Sequence, residues 1–174
     1  MKKYIVLLLL LPLLSYACAQ DNPEEGLPNN EFIVQINTQV GAHNHHGWKE
    51  PVTGIGLYAG YAHFWDAHRL SGGIELAYRN SMQFLLIPDY HYEWIVNRFR
   101  TALGLKVMAG YCLGMGFAGG IQPSWEIGCF VSSNFSITLS TGYRMIGYSH
   151  VPETTKAEAG NLIFEIPVEL NFRF

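Results

Sequence analysis

Leu162-Ile163-Phe164-Glu165-Ile166-Pro167-Val168-Glu169-Leu170-Asn171-Phe172-Arg173-Phe174 decides the fold of this 174-residue chain. Successive side chains of an extended strand point to opposite faces. At that period of two, Leu162, Phe164, Ile166, Val168, Leu170, Phe172 and Phe174 share one face. Ile163, Glu165, Pro167, Glu169, Asn171 and Arg173 share the other. One side is hydrocarbon and aromatic, the other mostly charged or polar. A strand with one face in lipid and one in a narrow polar lumen needs that division.

Seven more segments divide the same way: 31–41, 53–64, 70–79, 83–94, 99–113, 121–131 and 135–146. Phe32, Val34, Ile36, Thr38 and Val40 line the first, and Ile55, Leu57, Ala59 and Tyr61 oppose Gly54, Gly56, Tyr58 and Gly60 in the second. Each segment reaches the roughly 9–11 residues that a tilted membrane strand needs. The predicted fold is therefore all-β, an eight-stranded antiparallel up-and-down transmembrane β-barrel.

The parity of the charges separates a membrane barrel from a soluble one. Glu75, Arg79, Asp89, Glu93, Arg100, Lys106, Glu126, Arg144, Glu165, Glu169 and Arg173 all fall on the inward face, together with His91. Glu31 shares that parity but sits at the mouth of the first strand and is set aside; no Asp, Glu, Lys or Arg of these segments falls on the outward face. A soluble barrel would turn its apolar face inward and its polar face to water. Here the polar face mixes small residues with six acids and five bases, which suits a lumen plugged by compensated ion pairs. His91, between Asp89 and Glu93, reads as a member of this luminal ion network.

Tyr61, Trp65, Tyr78, Tyr90, Tyr92, Trp94, Tyr111, Tyr143 and Tyr148 cluster towards strand ends, as girdles at a bilayer interface do. Pro88, Pro123 and Pro167 fall inside strands, where a missing N–H predicts bulges or portions projecting beyond the membrane. The connections 65–69, 96–98 and 132–134 are short and read as periplasmic turns. Those at 42–51 and 147–161 are longer and read as outer loops, with shorter links near 80–82 and 114–120.

The amino-terminal residues agree. Lys2 and Lys3 precede an apolar run too short for a transmembrane helix, and Ala17-Cys18-Ala19 supplies small residues for cleavage before Gln20. Residues 1–19 are expected to be a signal peptide, 20–30 a flexible lead-in and 31–174 the barrel. Ser15 stands where lipidation of Cys18 would want an aliphatic residue, so ordinary cleavage is the expectation. Without Lys2 and Lys3, 9 basic residues face 14 acidic ones, a net charge of about −5 that argues against nucleic acid as a partner.

The closing segment resembles that of bacterial outer-membrane β-barrels, whose assembly machinery reads a terminal aromatic residue such as Phe174. The resemblance is to the class of small OmpA/OmpX-like barrels. It implies residence in the outer membrane of a bacterial cell, contact with membrane lipid and lipopolysaccharide, and a monomer without cofactors. The chain also resembles, more distantly, the lipid A deacylases, eight-stranded barrels with a His-x-Ser pair and a downstream Glu. His150 and Glu165 would take two of those places, but Pro152 stands in that of the serine, and Ser149 precedes the histidine instead. No catalytic set is assigned.

His43, His45 and His46 in the first outer loop and His150 in the fourth are a candidate weak Zn or Cu site; a solvated polar loop is the plainer reading. The leading function is a structural or surface-interaction protein with a plugged lumen. A lipid A-modifying enzyme and a narrow, porin-like solute channel are the alternatives, the last opposed by an interior only wide enough for side chains.

Overall fold

Alternating side chains give eight strands, each antiparallel to the next, closed into a barrel. The computed structural model describes residues 29–44, 47–48, 54–79, 81–150 and 162–174, with side chains described except at 40–44, 47–48 and 79. The expected signal peptide and most of the lead-in lie outside the described residues. The strands are β1 (Asn30–Asn44), β2 (Gly54–Trp65), β3 (His68–Arg79) and β4 (Ser81–Val96). They continue as β5 (Phe99–Cys112), β6 (Gly116–Ser132), β7 (Phe135–Gly142, resuming as Arg144–Tyr148) and β8 (Leu162–Arg173). Gly47–Trp48 adds a short pairing at the end of β1.

Closure comes from β1 against β8, paired from Ile33↔Arg173 to His43↔Phe164. Phe32 and Phe174 complete it with reciprocal backbone hydrogen bonds of 2.9 Å. A closed sheet leaves no edge of unpaired N–H and C=O groups.

One end of the barrel carries tight turns. Asp66 and Asn97 adopt φ of 54° and 56° there, a left-handed conformation that short polar side chains tolerate. At the other end Gly114 and Gly116 take φ of 80° and 78°, where a Cβ would be strained. Two connections are shorter than the sequence suggests. Gly116 already pairs with Cys112, so β6 starts within the expected 114–120 link. His68 and Arg69 pair with Trp65 and Phe64, so β3 starts inside the expected 65–69 turn. That extension carries the parity back and turns Arg69 into the interior.

The prolines are accommodated in two ways. Register is unbroken across Pro88 and Pro123, so no bulge forms at either. Pro123 instead leaves a gap in the neighbouring strand: β7 is interrupted at Tyr143, whose N–H donates to the Pro123 carbonyl while Pro123 has no N–H to return. Beside Pro167, β1 does shift register between Val40 and Ala42.

The faces follow the alternation. Most leucines, isoleucines and aromatic rings of every strand are exposed outward, and the charged side chains are buried inward. Tyr61, Trp65, Tyr78, Tyr90, Tyr92, Trp94, Tyr111 and Tyr143 are on the outer surface. Tyr148 is the exception. Its side chain is buried in the lumen, where its hydroxyl accepts from Gln83 Nε2 at 2.8 Å. The physical reason is strand length: β7 runs to Tyr148, and from Arg144 onward the even positions face inward.

Candidate functional site

Inward parity concentrates the polar chemistry in the lumen, in two clusters stacked along the barrel axis. The first lies towards the tight turns. Arg69 there grips Glu126 with both terminal nitrogens, at 2.8 and 2.9 Å, and reaches Glu93 at 3.2 Å. Arg100 donates from Nε to Glu93 at 2.7 Å, and from Nη1 to Glu31 at 2.9 Å and to the Ser136 hydroxyl at 2.6 Å. Arg173 pairs with Glu126 and lies 3.7 and 3.6 Å from Glu31 and Glu93. Three guanidiniums thus interleave with three carboxylates. The fork geometry of arginine makes such bidentate sharing strong and directional.

The second cluster sits nearer the longer connections. Arg144 holds Glu75 at 2.9 and 3.0 Å, donates from Nε to Gln122 at 2.7 Å and lies 3.7 Å from Glu169. Lys106 Nζ donates to Glu169 at 2.5 Å, and Gln122 and Ser140 also donate to that carboxylate. Asn37 donates to Glu75 at 2.8 Å. A buried ion is tolerable only when its lone pairs and protons are met in this way.

An apolar layer fills part of the lumen beyond the second cluster. Leu85, Ile87, Met108, Cys112, Ala118 and Ile146 are buried there, with Met115 and Ile163 packed against them. At the tight-turn end the Arg100 guanidinium lies between Phe64 and Phe130, 5.8 and 4.8 Å from their ring centroids. A cavity of about 90 Å³ opens beneath it, lined by Asn29, Glu31, Phe64, Asp66, Ile95, Arg100 and Phe130.

Between the clusters, His91 makes two directed bonds. Its Nδ1 lies 2.9 Å from Asp89 Oδ1 and its Nε2 lies 2.8 Å from Ser124 Oγ. Ser71 donates to the same Asp89 oxygen at 2.5 Å. Glu126 Oε1 is farther from Nε2, at 3.5 Å, and Arg69 stands 3.8 Å from Asp89. The His91 ring lies against Gly104, where a Cβ would come 2.3 Å from the ring.

No family model matches the chain, and no curated protein matches its sequence. Among solved structures, the chain is similar to the crystal structure of Neisserial surface protein A (NspA). Identity is 14%, covering 86% of this chain and 100% of that one, with a TM-score of 0.48. At that identity no residue role transfers.

Of the residues predicted for the luminal network, Glu75, Asp89, His91, Glu93, Arg100, Lys106, Glu126, Arg144, Glu165, Glu169 and Arg173 are buried in the interior. The side chain of Arg79 lies outside the described residues. Glu31 and Arg69 belong to the network too. Glu31 has the inward parity and is set aside only for its place at the strand mouth, whereas Arg69 falls in the expected 65–69 turn; the alternation in fact continues into both strand ends. The apolar layer was missed for another reason: Leu85, Ile87 and Met108 keep inward parity, but attention to the charges passes them over.

The histidine-rich loop is not assembled within the described residues. His45 and His46, and the side chain of His43, lie outside them, and His150 is exposed. Among the described residues no three His, Cys, Asp or Glu side chains are placed to hold a metal. Of the residues suggested by the lipid A deacylases, Ser149 and His150 are exposed at the end of β7, where Ser149 Oγ accepts from the Phe117 N–H at 2.9 Å, and Glu165 is buried in the lumen.

Proposed function

We propose that the chain spans the outer membrane of a bacterial cell as a small plugged barrel with a structural or surface-interaction role. One observation carries this: the outer wall exposes large apolar side chains from all eight strands and, among the described residues, no strand residue turns an Asp, Glu, Lys or Arg outward. Monomeric soluble proteins rarely expose contiguous apolar patches beyond a few hundred Å². A bilayer instead rewards such a wall. The lengths fit as well. Twelve residues of β2 rise about 40 Å, which at a 45° tilt covers about 28 Å of membrane.

Two girdles support the placement. Tyr61, Trp65, Tyr90, Tyr92 and Trp94 gather towards the tight turns, with Trp65 stacked on His68 and Tyr92 edge-on to Trp94. Tyr78, Tyr111 and Phe117 gather at the opposite end. On this reading membrane lipid and lipopolysaccharide are the surroundings, and nucleic acid is no partner. Ion pairs followed by a hydrocarbon layer oppose the solute-channel alternative.

Refolding into vesicles with brominated acyl chains tests the placement. The folded form should shift on an unheated gel, and bromine should quench the outward Trp65, Trp94 and Trp125. A stable, monodisperse fold in buffer free of lipid and detergent would sink the proposal.

A further inference from the structure

Arg98 stands apart from the other buried arginines. Arg69, Arg100, Arg144 and Arg173 each pair with at least one carboxylate. Arg98 is only 9% exposed, yet it pairs with no carboxylate among the described residues, and its Nη1 is buried without a hydrogen-bond partner. A guanidinium carries a full charge and five N–H donors. Withdrawn from water, it strongly favours an acceptor of opposite charge beside it.

The fold gives such an acceptor a way in. Arg98 shares the inward parity of Arg100 and stands about 7 Å nearer the tight turns. Its carbonyl accepts from the Phe130 N–H at 2.8 Å. Arg100 and Phe130 both line the cavity of about 90 Å³ at this end of the barrel. Asn29 and Asp66, on the same lining, are exposed, so the cavity opens to solvent outside the plugged part of the lumen. It has room for about three waters, or for one group of a few non-hydrogen atoms. The two carboxylates on its wall do not serve Arg98: Glu31 is held by Arg100 at 2.9 Å, and Asp66 stands in solvent on its turn.

We propose that Arg98 anchors a carboxylate-binding site at the tight-turn mouth of the barrel, with the cavity beside it holding the bound group. A planar carboxylate matches two parallel N–H bonds of a guanidinium. Phe64, Ile95 and Phe130 on the cavity wall suit a short hydrocarbon stem behind it. The carboxylate can come from a small acid in solution, or from Glu24 or Glu25, which precede Asn29 by five and four residues. Four residues reach up to about 14 Å, enough to carry a side chain back to the mouth. The site does not depend on where the barrel resides.

The test replaces chloride by acetate at fixed ionic strength on the folded full chain in non-ionic detergent, and follows the side-chain nitrogen resonances of arginine by NMR. Arg98→Gln assigns the Arg98 signal by its loss, and Arg98→Lys does so if the glutamine variant does not fold. The unheated gel shift shows which variants are folded. With an acid from solution, the Arg98 signal should shift saturably with acetate while that of Arg144 stays in place. With Glu24 or Glu25 in the site, the same shift should appear only in Glu24→Gln/Glu25→Gln, which supports the site and assigns its occupant. An Arg98 signal that acetate leaves unmoved in both chains overturns the proposal. So does a shift that never saturates and that Arg144 shares.

Discussion

Replacing Arg144 by alanine puts the luminal network to its hardest test. Arg144 is fully buried and makes three short hydrogen bonds, two to Glu75 and one to Gln122. Its removal leaves Glu75 with the Asn37 amide as its remaining bond within the second cluster, at a fully buried position. Breaking a buried pair on one side costs about 3–5 kcal/mol, because the surviving charge is uncompensated. With a urea dependence of about 2 kcal/mol per M, the unfolding midpoint should fall by about 2 M. The assay is urea unfolding in detergent or vesicles, read as loss of the folded band on unheated gels. Ser133→Ala, in an exposed tight turn, serves as control and should stay within about 0.5 kcal/mol. The double variant Glu75→Gln/Arg144→Met removes both charges and should recover much of the loss. If Arg144→Ala moved the midpoint no further than Ser133→Ala, water must already solvate Glu75, and the plugged lumen would be wrong.

Leu105 is outward and near the middle of β5, so Leu105→Arg should cost about 2–4 kcal/mol or prevent insertion, while Leu105→Phe should insert normally; equal insertion yields would reverse the assigned faces. Gly104→Ala would bring its Cβ within 2.3 Å of both the His91 ring and the Tyr90 carbonyl, and should destabilise by about 1–3 kcal/mol. Gly72→Ala meets nothing within 4 Å and should be nearly neutral in the same urea assay. Pro123→Ala restores an N–H opposite Tyr143; a slowly exchanging amide at position 123 is the expected sign, and rapid exchange there would mean that the gap in β7 has another cause. In planar bilayers the protein should pass no steady ionic current, and a sustained current would favour the channel reading over the plug.

The strand wall was legible because its signal is local. Cβ atoms alternate along a strand whatever the rest of the chain does, so Leu162 to Phe174 could be divided into faces by inspection. The same rule places Leu57, Leu76, Leu103 and Trp125 outside. It failed where an end was drawn too early, as at Arg69 and Tyr148, since parity is only as good as the boundary from which it is counted.

Which inward residues meet is a different kind of fact. Glu31 and Arg100 are 69 residues apart, as are Glu75 and Arg144, and Arg69 and Glu126 are separated by 57. Nothing in the spacing of two charges along the chain says that they will face each other across a lumen. Strand tilt and the register of every ladder set the height of each side chain, and closure of β1 on β8 sets its angle about the axis. The sequence by itself determined the faces, the strand order and which face carries the charges. Only the closed barrel decided that Ser124 lies beside His91, and that Leu85, Met108 and Ile146 come together as an apolar layer towards the longer connections.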